Sequence, residues 1–271
     1  NSNTCGQVVN VADDEAPVLT CPPADVTATA EQGTCAATVT FVVSALDNCD
    51  ANPGVVATPA SGSSFPVGST PVTVVATDAT GNSSTCAFNV VVSDTEAPVL
   101  TCPPADVTAN NDLGLCSATV IFDVTATDNC GGTLTPVVTP ASGSSFPVGS
   151  TVVSATVTDG SGNSANCSFN VVVTDTEDPT ITCPIDVSVG TDNGICTASG
   201  VNLGTPVTAD NCAVDQTTND GPTTYNVGPT TVIWTVTDIH GNSNTCAQIV
   251  NVADDEAPVL TCPPADVTAT A

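Results

Sequence analysis

Lysine, arginine and methionine are absent from this 271-residue sequence, and there is one histidine against 28 Asp and Glu. The formal charge is −28 at pH 7. Each absence excludes something. Nucleic-acid binding rests on Lys and Arg neutralising phosphates, so nucleic-acid partners are excluded, and an anionic membrane surface would repel the chain. No apolar run approaches the ~20 residues of a membrane helix, so the chain is not membrane-inserted. Without lysine there can be no Lys–Asn isopeptide crosslink. No CxxC pair occurs and His240 is the only nitrogen ligand, which makes zinc a poor account of the cysteines. Aromatic residues are 3% of the chain, so a core must be built mostly of Val, Ile and Ala. No stretch sustains helical spacing.

What is present is 14 Cys, 21 Pro and 20 Gly, a composition that points to disulfides in an oxidising, extracellular setting. The order of these residues repeats. "VADDEAPVLTCPPADVTA" at 11–28 recurs as "VSDTEAPVLTCPPADVTA" at 92–109, as "VTDTEDPTITCPIDVSV" at 173–189, and again at 252–269. After this acidic linker and Cys-Pro comes a "GxC" (Cys35, Cys116, Cys196), then a "DNC" (Asp47–Cys49, Asp128–Cys130, Asp210–Cys212). An aromatic turn follows, "SGSSFPVGST" at 61–70 and 142–151, loosened to "GPTTYNVGPT" in the third unit. Last is "TDxxGN" (Thr77–Asn82, Thr158–Asn163, Thr237–Asn242), then a cysteine and a valine-rich strand. Residues 1–30 and 242–271 differ only at Gly6/Ala247 and Val8/Ile249. Such near-identity leads us to expect a window from a longer tandem array. It opens on the last strand of a preceding repeat (1–13), holds three units (14–94, 95–175, 176–254), and closes on the first strand of a following one (255–271).

Within a unit the periodicity is that of strands. In "CAATVTFVV" (35–43), Cys35, Ala37, Val39, Phe41 and Val43 share one face, and "STVVSATVTD" and "CSFNVVV" behave similarly. Units of about 80 residues with some seven short β-branched strands predict an all-β chain of tandem immunoglobulin-like sandwiches, end to end. So small a domain has a thin core that disulfides would reinforce by ~2–4 kcal/mol each.

With its Cys-Pro start, Asp-Asn turn, Phe-Pro-Val-Gly turn, Asp-x-x-Gly-Asn loop and closing Cys-x-Phe-x-Val, the unit resembles the hyalin repeat (HYR) domain. The third unit departs from the pattern, with Tyr225-Asn226 in place of Phe-Pro. The resemblance implies an immunoglobulin-like fold, extracellular placement, an adhesive or structural role and no enzymatic activity, in arrays like those of giant bacterial surface and gliding adhesins or of animal matrix proteins. It also implies the pairings Cys21–Cys86, Cys102–Cys167 and Cys183–Cys246, with the extra pair of each unit closing on itself: Cys35–Cys49, Cys116–Cys130 and Cys196–Cys212. Sequence alone leaves three connectivities open for each four cysteines. Cys5 and Cys262 are left over, as closing and opening cysteines of units outside the window.

In an immunoglobulin-like sandwich the chain entry, the B–C loop and the F–G loop gather at one pole. That would bring together Asp13, Asp14, Glu15, Asp47, Asp78 and Asn82 in the first repeat. The second contributes Asp94, Glu96, Asp128 with Asn129, Asp159 and Asn163. The third contributes Asp175, Glu177, Asp178, Asp210, Asp238 and Asn242. Converging oxygens without a base suit a hard cation, and Ca2+, which takes 6–8 oxygen ligands, is the expected cofactor at the domain junctions. Against this stands the plainer reading that Asp and Asn are ordinary turn residues. His240, with no nucleophile motif around it, reads as a loop residue. The adjacent carboxylates Asp254 and Asp255 fall in a repeating linker, unlike a single active site. Trp234 reads as core, and Phe65, Phe146 and Tyr225 as plugs of the opposite pole. The leading expectation is a stalk of a long extracellular filament or cell-surface adhesin whose partners are neighbouring repeats of the same chain, lateral self-association being left open. A glycan- or protein-binding module and a head-to-tail polymerising subunit are the alternatives.

Overall fold

Alternating Val and Thr become strands throughout the computed structural model, which describes residues 2–132 and 134–262. The described residues contain 24 strands and no helix. The first repeat forms β1 (Val18–Thr20), β2 (Val26–Thr29), β3 (Ala36–Val39), β4 (Ser44–Leu46), β5 (Gly54–Thr58), β6 (Ser63–Pro66), β7 (Gly68–Thr77) and β8 (Ser83–Ser93). The second forms β9 (Val99–Thr101), β10 (Val107–Asn110), β11 (Ser117–Thr119), β12 (Thr125–Thr127), β13 (Val137–Thr139), β14 (Ser145–Pro147), β15 (Gly149–Thr158) and β16 (Ser164–Thr174). The third forms β17 (Thr180–Thr182), β18 (Val187–Gly190), β19 (Thr197–Ser199), β20 (Val207–Ala209), β21 (Val214–Asn219), β22 (Thr224–Asn226), β23 (Gly228–Asp238) and β24 (Ser243–Ala253).

The chain divides into two compact units, Asn1–Pro104 with Asp123–Ala141 and Val153–Phe169, and Ala105–Phe122 with Ser142–Val152 and Asn170–Ala271. In the first unit, β2, β8, β7 and β5 make a four-stranded sheet in that order. β7 and β8 are an antiparallel hairpin in register from Gly68↔Val92 to Thr77↔Ser83, and β2 runs parallel to β8. Facing it are the short pairs β3–β6 and β1–β4, which complete an immunoglobulin-like sandwich. The same unit holds the β9–β12 and β13–β15 pairings of the second repeat. In the second unit, the sheet β18-β24-β23-β21 and the pairs β19–β22 and β17–β20 repeat this plan, alongside β10–β16 and β11–β14.

The cores are as thin as the composition implies. In the first repeat Val72, Val74, Val90 and Val92 from the large sheet meet Ala37, Val39, Phe41 and Phe65. Phe41 packs edge-on against Phe65 (centroids 6.4 Å apart) and Phe88 (5.0 Å), the offset geometry that aromatic quadrupoles favour. The alternation read in "CAATVTFVV" is therefore the buried face of β3 and its extension. Phe65, Phe146 and Tyr225 are buried core residues.

The third repeat reaches the same end differently. Trp234 stands where the first repeat has Val74, and Gln248 where it has Phe88. The indole moves the aromatic volume to the neighbouring strand, and its Nε1 donates to Gln248 Oε1 at 3.0 Å. Gln248, fully buried, donates in turn to the carbonyls of Ile185 (2.7 Å) and Leu203 (3.0 Å), so no amide is left unsatisfied.

Residues 2–17 and 254–262 lie outside strands, and among the described residues no strand pairs with them. Residues 263–271, the end of the expected closing strand, lie outside the described residues.

Candidate metal centres

The "TDxxGN" motif is the tight turn closing each long hairpin. Its glycine carries φ of 99° at Gly81 and 96° at Gly162 and Gly241, values that L side chains rarely adopt. The Asp nucleates the turn. Asp78 Oδ1 accepts the backbone N–H groups of Thr80 (2.9 Å), Gly81 (2.6 Å) and Asn82 (2.8 Å), while Asn82 Nδ2 donates to Asp78 Oδ2 at 2.8 Å. Asp159 and Asp238 repeat the arrangement with Asn163 and Asn242. Burial disfavours the ionised form of all three, but these hydrogen bonds outweigh it and hold each carboxyl below its ordinary range.

The Asn of the motif also reaches the acidic linker. Asn82 Nδ2 donates to the Asp13 carbonyl (3.1 Å), Asn163 Nδ2 to that of Asp94 (3.3 Å), and Asn242 Nδ2 to that of Asp175 (3.3 Å). Predicted as ligands, Asn82, Asn163 and Asn242 thus brace the linker through their amide nitrogens. In the linker itself the first Asp folds back on the peptide, Asp94 Oδ1 accepting Glu96 N at 3.0 Å and Asp175 Oδ1 accepting Glu177 N at 3.2 Å.

These turns bring carboxylates into three clusters, each with ligand atoms within 4.8 Å of one another. They are Asp13, Asp47 and Asp78; Asp94 and Asp128 with Cys130; and Asp175, Asp210 and Asp238, with Cys212 and His240 beside Asp175. Each "DNC" Asp spends one oxygen on its own turn: Asp128 Oδ2 accepts Cys130 N and Asp210 Oδ2 accepts Cys212 N, both at 2.8 Å. The other oxygen is left over. Asp47 Oδ1, Asp94 Oδ2, Asp128 Oδ1, Asn129 Oδ1, Asp210 Oδ1 and Asn211 Oδ1 are all buried without a hydrogen-bond partner. A buried anionic oxygen with nothing to accept from is costly, and like charges at this spacing repel by roughly 3–4 kcal/mol at an effective dielectric near 20. A cation held there would remove both costs.

Not every predicted residue joins a cluster. Asp14 is exposed and outside the groups, and Glu15 accepts from Asn48 Nδ2 at 2.7 Å. Glu96 and Glu177 reach backward instead: their Oε2 atoms accept the N–H of Gly33 and Gly114, both at 2.7 Å, in the "GxC" turns of the preceding repeats. A Glu side chain is long enough to cross the junction, which takes these carboxylates away from the ligand positions. Asp159 is not grouped with Asp94 and Asp128, although its turn hydrogen bonds repeat those of Asp78 and Asp238.

Sequence reasoning missed two features. His240 Nδ1 lies 3.1 Å from Asp175 Oδ2, so the third cluster has an imidazole where the first has Thr80 and the second Ser161. The histidine in "TDIHGN" of the third repeat, the one His in the chain, was the available signal. Asn129, placed by the sequence among the converging oxygens, and Asn211 donate across the junction to the carbonyls of Thr34 (2.7 Å) and Leu115 (3.1 Å), each adjacent to a "GxC" cysteine.

The cysteines correct one expectation. Disulfides join Cys21–Cys86, Cys102–Cys167 and Cys183–Cys246. Cys116, however, bonds to Cys212 of the next repeat with Cα atoms 4.7 Å apart, so neither Cys116–Cys130 nor Cys196–Cys212 forms. Cys35, Cys49, Cys130 and Cys196 carry no disulfide, and so the Cys35–Cys49 bridge is not formed. The reason is geometric: the "GxC" turn of one repeat and the "DNC" loop of the next are held together by the Asn and Glu bonds just described. Burial first, then the neighbouring Cys35 and Asp94, push the Cys130 thiol well up from its ordinary value. Because Cys212 is oxidised, its sulfur is not a thiolate ligand, which leaves the third site an oxygen site with His240 at its rim.

The HYR domain model matches residues 12–92 and 93–173. Hyalin of Lytechinus variegatus is 35% identical over 97% of this chain and 52% of its own length. Hyalin of Strongylocentrotus purpuratus is 34% identical over 94% of this chain and 22% of its own. The chain thus spans about half or less of these curated relatives. Both are sea-urchin proteins and lend no support to a bacterial gliding-adhesin setting; a Staphylococcus aureus serine-rich adhesin for platelets matches at 31% over 52% of the chain. Among solved structures, mouse cadherin-23 EC22-24 is similar at TM-score 0.39 and 15% identity, covering 89% of this chain and 100% of that one.

Proposed function

This chain belongs to the HYR domain family, and from that premise we propose that it is a spacer segment of a long extracellular filament or cell-surface adhesin whose repeat junctions are stiffened by Ca2+. The observation that carries the reading is the set of buried carboxylate oxygens without hydrogen-bond partners at all three junctions, in a chain with no Lys or Arg to satisfy them. The ligands would be Asp13, Asp47 and Asp78 at the first junction, Asp94 and Asp128 at the second, and Asp175, Asp210 and Asp238 at the third. Amide oxygens of Asn129 and Asn211 and water complete the shells. Oxygen-only donors in flexible geometry suit Ca2+ over Mg2+, which demands near-ideal octahedra and keeps its water.

In this reading a cation joins the linker aspartate to the loops of the next repeat and removes hinge freedom, with repeat boundaries at 14–94, 95–175 and 176–254. Oxidised cysteines support extracellular placement. The turn "ASGSSFPVGST" recurs unchanged at 60–70 and 141–151, and this repeated framework favours spacing over diverse recognition. Adhesion to a glycan or protein, or head-to-tail polymerisation, would instead demand variable exposed loops or a defined subunit mass. Calorimetric titration of the chelator-treated chain with Ca2+ and with Mg2+ tests the proposal. Saturable Ca2+ binding with a raised melting temperature and a smaller effect of Mg2+ is expected. Identical melting temperature and hydrodynamic radius with and without EDTA would sink it.

A further inference from the structure

We propose that Cys35 and Cys130 form a disulfide across the junction of the first and second repeats, the same bond that Cys116 and Cys212 make across the next. Three observations carry this. First, the two pairs occupy identical places in the repeat: Cys35 and Cys116 are the "GxC" cysteines, Cys130 and Cys212 the "DNC" cysteines of the following repeat. Second, the scaffold around both pairs is the same. Asn129, beside Cys130, donates to the carbonyl of Thr34, beside Cys35, at 2.7 Å; Asn211, beside Cys212, donates to the carbonyl of Leu115, beside Cys116, at 3.1 Å. Glu96 and Glu177 hold the same turns through Gly33 and Gly114, both at 2.7 Å. Third, the bond already exists at one of the two sites, so the junction geometry satisfies the approach of Cα atoms that a disulfide needs. Cys35 and Cys130 are both half-buried and neither is held in another disulfide.

The chemistry needs an electron acceptor, which is a protein or small-molecule disulfide. The Cys35 thiolate attacks one sulfur of that disulfide, and a mixed disulfide forms as the other sulfur leaves as a thiol. Cys130, giving up its proton to solvent, then attacks Cys35 Sγ; the Cys35–oxidant bond breaks, and the second oxidant sulfur leaves as a thiolate that takes up a proton. Two protein thiols become one disulfide, and the oxidant disulfide becomes two thiols. The consequence is a second kind of link. The Cys21–Cys86 type closes each sandwich on itself, whereas the Cys35–Cys130 type joins successive sandwiches, so that force on the chain bypasses the linker. The same register leaves Cys49 as a "DNC" half and Cys196 as a "GxC" half without a partner in this chain; both are exposed and free.

Oxidised glutathione supplied to the purified, chelator-treated chain tests the bond independently of where the protein resides and of any Ca2+. After oxidation the chain is denatured, alkylated, cut at Asp and Glu with a suitable protease (trypsin has no site) and mapped by mass without reduction. The expected product is a peptide pair holding Cys35 and Cys130, two hydrogens lighter than the separate peptides and lost on reduction, while Cys49 and Cys196 are alkylated or glutathionylated. Recovery of a Cys35–Cys49 pair, or of Cys35 and Cys130 both alkylated while Cys116–Cys212 is intact, overturns the proposal. A Cys35→Ser variant supplies a check that does not need the bond for folding: it should gain one reactive thiol, at Cys130, with Cys21–Cys86 and Cys102–Cys167 unchanged. No such gain counts against the inference.

Discussion

At the scale of single residues, one side chain does different work at each position of the acidic motifs. The "TDxxGN" Asp organises a turn, the "DNC" Asp divides its oxygens between a turn and an open position, and the linker Glu reaches back to the previous repeat. Removing an open oxygen should therefore weaken cation binding without unfolding the turn. Asp128→Asn is expected to raise the Kd for Ca2+ at its junction about tenfold, on the order of 1.4 kcal/mol, while leaving the other two sites unchanged in a calorimetric or terbium-luminescence titration. Asn163→Ala removes the donor to Asp159 and to the Asp94 carbonyl; a loss of about 1–3 kcal/mol in denaturant unfolding is expected. The sign of the pH effect follows from Asp238. Its carboxyl is held low, so its contribution is complete above the unfolded value near pH 4 and disappears as pH falls through the lower folded value. In EDTA, the difference in melting temperature between the native chain and Asp238→Asn should be largest at neutral pH and shrink as the pH is taken below about 4.

At the scale of elements, the strand pattern was legible because a two-residue period has one physical meaning: alternate side chains face the core. Ala37, Val39 and Phe41 were placed on one face by spacing, and they are buried together. Spacing said less about compensation between strands. Nothing in "TVIWTVTD" or "CAQIV" taken alone indicates that Trp234 and Gln248 are partners. Their relation exists only because β23 and β24 pair in a register that sets the indole N–H against the amide oxygen. Gln248→Ala should leave that N–H and two carbonyl bonds unmet and open a cavity. A destabilisation of about 2–4 kcal/mol in the third repeat is expected, read from the Trp234 fluorescence unfolding transition. A Gln248→Phe change should not restore it, because Trp234 already fills the volume that Phe88 takes in the first repeat.

At the scale of the whole molecule, the junctions decide behaviour. On the proposed reading, bound cations would turn carboxylates that repel into shared ligands. Chelation is expected to raise flexibility and speed cleavage by a Glu-specific protease at Glu96 and Glu177 several-fold, reversibly on Ca2+ addition. The sequence by itself determined the all-β class, the tandem repeat, the need for disulfides and the gathering of acid near each linker. Those follow from composition and period, which are local properties of the chain. Only the tertiary structure decided which acids converge and which bend away, that Asn82, Asn163 and Asn242 donate to the linker carbonyls, and that Cys116 finds Cys212 in the next repeat. Four cysteines per repeat invite pairing within the repeat as long as each repeat is imagined alone. The bond across the junction is set by distance in space, and that distance depends on how one repeat's turn meets the next repeat's loop.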